Sequence, residues 1–225
     1  MSRPIALVTG ASSGIGRAVA LALSSTHHVL VGGRDADRIA ETMGLLESSE
    51  PFAVDLDDEG AVLAATDDIG RLDVLVHCAG LIAYGTLADS TTQEWQQVLA
   101  TNVIAPATLT RALLPALRAA NGLVIFINSG AGLTAHAGWG VYAASKFALT
   151  ALADSLRAEE RGAIRVTSLH PGRVATPMQM QLNELEGRTY RPERYLDPES
   201  VARTVRLAVD LPPQATVESL RIAPV

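Results

Sequence analysis

Tyr142-Ala143-Ala144-Ser145-Lys146 sets a phenol and an ammonium four positions apart. On a helix that spacing puts both side chains on one face, one turn apart. A free phenol, with a pKa of about 10, neither gives nor takes protons well near neutrality. A cation held beside it favours the phenolate and lowers that pKa. Bringing it to about 7 takes roughly 4 kcal/mol, which a dry site with a fixed cation could supply. The pair alone does not establish such a site, because a half-buried ring beside a solvated amine has the same spacing.

A second group of residues points to an anion. Thr9-Gly10-Ala11-Ser12-Ser13-Gly14-Ile15-Gly16 follows an apolar run and opens a helical pattern. Glycines there allow a sharp turn and a close approach to a pyrophosphate, and the helix N-terminus offers free N–H groups to it. The spacing is G-x-x-x-G-x-G rather than the dinucleotide G-x-G-x-x-G, and a tight strand–helix connection would read similarly. The next apolar run ends in Gly32-Gly33-Arg34-Asp35. Where an acid would hold the ribose 2′-hydroxyl of NAD there is Gly33, followed by a guanidinium suited to a 2′-phosphate. The expected cofactor is therefore NADP(H) rather than NAD(H). Asp35 reaching the 2′-hydroxyl, or both charges being solvated, are the competing readings.

These residues need a scaffold, and the chain supplies an alternating pattern. Apolar runs at Ile5–Thr9, His28–Val31, Phe52–Val54, Val74–Val76, Leu123–Ile127 and Ile164–Leu169 read as strands, with a weaker seventh at Val217–Ile222. The inner runs are continuously apolar, as strands covered on both faces must be. Helical spacing appears at Ile15, Val19 and Leu23, at Leu109, Leu113 and Leu117, and at Ala148, Leu152 and Leu156. Such alternation means βαβ units and an α/β fold: a Rossmann-type, doubly wound parallel sheet of about seven strands with helices on both faces. A length of 225 residues with 48% hydrophobic content suits a single domain, 1–225. Residues 175–198, with three prolines and mixed charges, read as a mobile substrate lid with short helical pieces.

Composition narrows the function. The net charge of −6 and the absence of basic runs argue against nucleic acid as a partner. The one cysteine, Cys78, excludes an internal disulfide, and the five histidines show no metal-ligand spacing, so no metal is expected. No stretch reads as a signal peptide or membrane helix, so a cytoplasmic protein with a small-molecule substrate is expected.

Taken in order, Thr9-Gly10-x-x-x-Gly14-x-Gly16, Asp55, Ala79-Gly80, Asn102, Ser129, Tyr142-x-x-x-Lys146 and Pro171-Gly172 resemble the short-chain dehydrogenase/reductase (SDR) family along nearly the whole chain. The resemblance implies an oxidoreductase moving a hydride between a nicotinamide and a carbonyl or secondary alcohol. It makes Tyr142 the general acid or base and Lys146 the group that lowers its pKa and holds the nicotinamide ribose. Ser129 would orient the substrate carbonyl, and Asn102 would anchor a water linking Lys146 to solvent. It implies cofactor contacts from Gly10, Ser12, Ser13, Gly14, Ile15 and Gly16, from Asp55 and Leu56, from Cys78, Ala79 and Gly80, and from Pro171, Gly172, Val174 and Thr176. It also implies a homodimer or homotetramer through the helices carrying Asn102 and Tyr142.

His77-Cys78 departs from the family's usual Asn-Asn and puts local sheet stability in question. Cys78 reads as a buried small hydrophobe. His136 is either a substrate contact or a surface-loop histidine, and His170 a structural hydrogen-bonding group. Trp139, Leu133, Met178 and Met180 either wall the cleft or fill the core. Arg173, Arg188, Arg191 and Arg194 are solvated lid charges or an anion site. The alternative function is a noncatalytic NADP-binding sensor or scaffold on the same fold; an epimerase or dehydratase would need a longer chain.

Overall fold

The computed structural model describes residues 3–225. The strands are β1 (Ile5–Val8), β2 (His28–Gly33), β3 (Ser49–Ala53), β4 (Val74–His77), β5 (Leu123–Ile127), β6 (Arg165–Pro171) and β7 (Ser219–Ile222). The helices are α1 (Gly14–Ser24), α2 (Ala36–Met43), α3 (Glu59–Thr66), α4 (Thr92–Leu99), α5 (Ala105–Ala120), α6 (Gly140–Glu159), α7 (Pro177–Leu185) and α8 (Pro198–Val209). All seven strands are parallel in one sheet, ordered β3-β2-β1-β4-β5-β6-β7. The order reverses between β1 and β4, which opens a crevice at their carboxyl ends.

The apolar pattern explains the layers. α1 and α8 pack on one face of the sheet against Val8, Val31, Val76, Ile125 and Leu169. α3, α5 and α6 cover the other face through Val62, Leu109, Leu113, Leu117, Leu149 and Leu156. β5 is buried at every position, as its Leu-Val-Ile-Phe-Ile sequence requires. β3 begins three residues earlier than its apolar run and contains Pro51; it lies at the sheet edge, where a missing N–H breaks no ladder bond.

Helix starts follow side-chain caps: Asp35, Asp58, Thr91, Thr176 and Asp197 accept backbone N–H bonds at α2, α3, α4, α7 and α8. α4 and α5 run on through a π-helical turn at Ala100–Ile104. That joined helix, Thr92–Ala120, is long and apolar enough, by length and composition alone, to cross a membrane. Here its Leu109, Leu113 and Leu117 face packs on the sheet instead.

The lid also departs from expectation. Residues 177–185 form a nine-residue helix, longer than the short helical pieces expected, started by the Thr176 cap and Pro177 at its first turn. Gln179 Nε2 donates to Asn183 Oδ1 at 2.7 Å, and the Tyr195 hydroxyl donates to the same oxygen at 3.0 Å.

Candidate active site

The carboxyl ends of β1, β2, β4, β5 and β6 open into a cleft of about 900 Å³. It is lined at one end by Gly10, Ser12, Ser13, Gly14, Ile15 and Gly16, with Arg34, Asp55 and Leu56 beside them. Cys78, Ala79 and Gly80 line its middle. Ser129, Tyr142, Lys146, Pro171, Gly172, Val174 and Thr176 line the other end, with His136, Trp139 and Met178. Asn102 lies behind this wall, almost wholly buried. Met180 is not in the wall; two residues beyond Met178 on α7, it turns to solvent. His136 is exposed at the mouth.

The glycine turn is built for close backbone approach. A Cβ on Gly16 would sit 2.2 Å from the Gly10 carbonyl oxygen, and one on Gly10 would meet Ala79 N at 2.9 Å. Gly10 also has φ +64, open to glycine at no steric cost. Unlike α2 to α4, α1 begins without a side-chain cap, since Ser13 makes no capping bond, and has no acid in its first turn. Its first N–H groups therefore face the cleft with their positive dipole end uncompensated. The turn is held from behind: Arg17 Nη2 donates to Ser12 O at 2.8 Å while paired with Glu41, and Thr42 Oγ1 donates to Ala11 O at 3.2 Å. Beyond it, Asp35 caps α2 through Asp37 N and Arg38 N and lies 3.6 Å from Arg38 Nε. It does not line the cleft, whereas Arg34 and Arg38 do.

At the other end α6 carries Tyr142 and Lys146 one turn apart, both buried. Lys146 Nζ lies 5.7 Å from the centre of the Tyr142 ring and donates to Ile127 O at 3.2 Å. Burial pushes the Tyr142 phenol up to about 12, with the nearby Ser129 hydroxyl acting to lower it. Burial brings the Lys146 ammonium down to about 8. The expected lowering of the phenol by Lys146 is thus not what the protein alone produces. Both groups have lost their water, and the cost of charging the phenol outweighs the neighbouring cation.

Asn102 sits in the π-helical turn. Its side chain accepts from Leu81 N at 2.7 Å and donates to Leu81 O at 2.9 Å and to Ser145 Oγ at 3.0 Å. Ser145 in turn donates to Tyr142 O at 2.7 Å, so Asn102 fixes the first turn of α6 against the loop after β4. Asn128 was not expected. Its Oδ1 accepts from Ser129 N at 2.9 Å and its Nδ2 donates to Thr150 on α6 at 2.9 Å, so it aims Ser129. His170 pairs with the Ser129 carbonyl at 3.0 Å, the structural role expected of it.

The His77-Cys78 departure is absorbed locally. Thr9 Oγ1 accepts from Cys78 N at 3.0 Å and Ala79 N at 3.1 Å, tying β1 to β4. His77 bonds Thr110 at 2.8 Å and stacks on Phe126, with burial bringing its pKa down to about 3. Cys78 lines the cleft and is partly exposed; burial of the thiol pushes it up to about 12, with the Lys146 charge acting the other way.

The wall above Tyr142 is aromatic. Trp139 lies 5.8 Å from the Tyr142 ring and 5.6 Å, edge-on, from Tyr84. The Arg173 guanidinium stands 5.9 Å over Trp139 and is bound to Glu186 at 2.7 and 2.5 Å, so it is not a solvated lid charge. Arg188, Arg191 and Arg194 surround a separate shallow recess.

A family model described as short chain dehydrogenase matches residues 4–187. The chain belongs to the short-chain dehydrogenase family. Members are NAD(P)-dependent oxidoreductases acting on CH–OH and C=O groups. Dehydrogenase/reductase SDR family member 11 of Bos taurus is 32% identical over 243 residues, with 98% of this chain and 95% of the relative covered. Glycine betaine reductase ATRR of Emericella nidulans is 35% identical over 239 residues; the match takes in 100% of this chain but only 19% of that longer protein. The solved alcohol dehydrogenase from the archaeon Thermococcus sibiricus, complexed with 5-hydroxy-NADP, superposes with a TM-score of 0.90 at 25% identity, covering 100% of this chain and 97% of that one.

Proposed function

We propose that this chain is an NADPH-dependent carbonyl reductase in which Tyr142 gives the proton. The observation that carries the reading is a buried phenol with Lys146 beside it and Ser129 on the same cleft wall, at the sheet's switch point.

The residues present fit a nicotinamide dinucleotide phosphate. The uncapped start of α1 and the glycine cradle suit a pyrophosphate. Asp35 is engaged at the α2 cap, and Arg34 and Arg38 are left on the cleft wall for a 2′-phosphate. Asp55 and Leu56 would lie against the adenine, Ala79 and Gly80 under its ribose, and Pro171, Gly172, Val174 and Thr176 beside the nicotinamide. When bound, the cofactor supplies a hydride to the carbonyl carbon and leaves as its oxidised form.

As the carbonyl π pair moves onto oxygen, Ser129 donates a hydrogen bond to it and Tyr142 delivers the proton that completes the alcohol. A phenol held protonated by burial suits this direction: it is a donor at neutral pH without first being recharged. Lys146 returns the proton to Tyr142. A water on the Asn102 carbonyl supplies Lys146; Pro106, four residues on, has no N–H to offer that carbonyl. Because the Lys146 ammonium titrates near 8, reduction should slow as pH rises above about 8, read from kcat against pH. A homo-oligomer is supported by exposed Ile104 and Phe147 on the α5 and α6 side, and light scattering would measure it.

The test is to mix the purified protein with a panel of ketones and follow consumption of NADPH and of NADH. We expect turnover of at least one ketone, with NADPH favoured roughly tenfold through the Arg34 and Arg38 charges. A folded, NADPH-binding protein that reduces none of them overturns the reading.

A further inference from the structure

The charges along the cleft are unevenly placed. Its lining carboxylates are Asp55 and Asp57, both at the adenine end, and none flanks Ser129 and Tyr142. Three cations line the Ser129 and Tyr142 end: Lys146, buried beside Tyr142; Arg173, bound to Glu186; and Arg221. Arg221 is exposed on β7 and has no ion pair or side-chain hydrogen bond among the described residues.

Its register places it well. Arg221 is paired with His170 across the β6–β7 ladder. Leu220 and Ile222 pack toward α1 and α8, so alternation turns Arg221 to the opposite face, the side where His170 holds the Ser129 carbonyl. Ser129 follows β5, two strands from β7 and so roughly 10 Å away at about 4.8 Å per strand, and Arg221 lines the same cleft from the β7 side. Trp139, Leu133, Met178 and Leu182 give this end apolar surface, interspersed with Thr134, His136 and Gln179.

We propose that Arg221 is a specificity residue that binds a carboxylate on the substrate, so the ketone reduced is a short oxo acid with one anionic and one apolar arm. This rests on the reductase reading above. With the carbonyl oxygen held by Ser129 and Tyr142, the carboxylate arm turns toward β7 and the apolar arm toward Trp139. A guanidinium fork matches a carboxylate through two parallel N–H···O bonds, which no other uncommitted group at this end offers.

The test compares acetoacetate with methyl acetoacetate, which differ only in that charge. In the wild type, kcat/KM for the acid should exceed that for the ester by roughly threefold to fivefold, the size of one solvent-exposed ion pair. In Arg221→Gln the acid-to-ester ratio should fall toward one, with the loss in KM, and Arg221→Lys should recover part of it. A merely structural role would lower both substrates together and leave the ratio unchanged, which overturns the proposal, as does a wild type with no preference for the acid. Quenching of tryptophan fluorescence gives binding without turnover, since Trp139 walls the cleft. Acid-selective binding that needs Arg221, with no NADPH consumed, would sink the reductase reading and keep only the carboxylate contact of Arg221. Equal binding of acid and ester would sink this one alone.

Discussion

At the adenosine end of the cleft the wall is largely main chain and glycine, whereas at the carbonyl end it is side chains drawn from four separated segments. Gly10, Gly14 and Gly16 come from one turn, held from behind by Arg17 and Thr42. Tyr142, Arg173, Met178 and Arg221 come from α6, the end of β6, α7 and β7. A backbone cradle tolerates almost no added atoms, because the atoms it would strike cannot rotate away. A side-chain wall can repack, so its substitutions should alter what is bound before they alter whether the chain folds.

Gly16→Ala should have the largest effect. Its Cβ would strike the Gly10 carbonyl, so a loss of about 3 kcal/mol in urea denaturation is expected, with weakened NADPH binding. Wild-type stability and unchanged NADPH affinity would break the contrast.

His77, under the middle of the cleft, gives the next effect. Its folded pKa lies below its unfolded value, so below about pH 6.5 the unfolded chain gains a proton the fold refuses, and stability falls with pH. Between about pH 7 and 5 the wild type should lose roughly 2 kcal/mol that His77→Asn does not, measured as the difference in slope rather than in absolute stability.

Arg34→Glu follows. It should raise the KM for NADPH roughly tenfold and leave NADH little changed, since only the former carries a 2′-phosphate. Trp139→Ala should be mildest for the fold. A change of roughly threefold to tenfold in ketone KM is expected with little change in thermal midpoint, because Trp139 is partly exposed on the wall.

The same contrast explains what the sequence revealed. The glycine turn, Tyr142 with Lys146, and the apolar strands were readable because each is a local pattern with its own spacing. β3 was misplaced because its first residues, Ser49 to Pro51, are polar or lack an N–H and are in a strand only because an edge tolerates them. The length of α7 was not read, only short helical pieces, because its Met-Gln-Met-Gln-Leu sequence has no strong period; its Thr176 cap and Pro177 were the available signal. Arg38, Asn128 and Arg221 were missed for a different reason. Each is placed by a neighbour that the fold supplies: Asp35's engagement at a cap, the Ser129 amide and Thr150, and a ladder partner on β6. The direction of the Tyr142 pKa was also out of reach, since it depends on how completely α6 is covered.

Everything proposed for the carbonyl end depends on Tyr142 as the proton donor. The most direct measurement is a single-turnover comparison of wild type and Tyr142→Phe, each loaded with NADPH and mixed with a ketone the wild type reduces. NADPH affinity should be nearly equal, because Phe keeps the ring and removes only the hydroxyl, while the reduction rate falls about a thousandfold. A mutant that binds NADPH and reduces the ketone within about tenfold of the wild type would show that the proton comes from elsewhere.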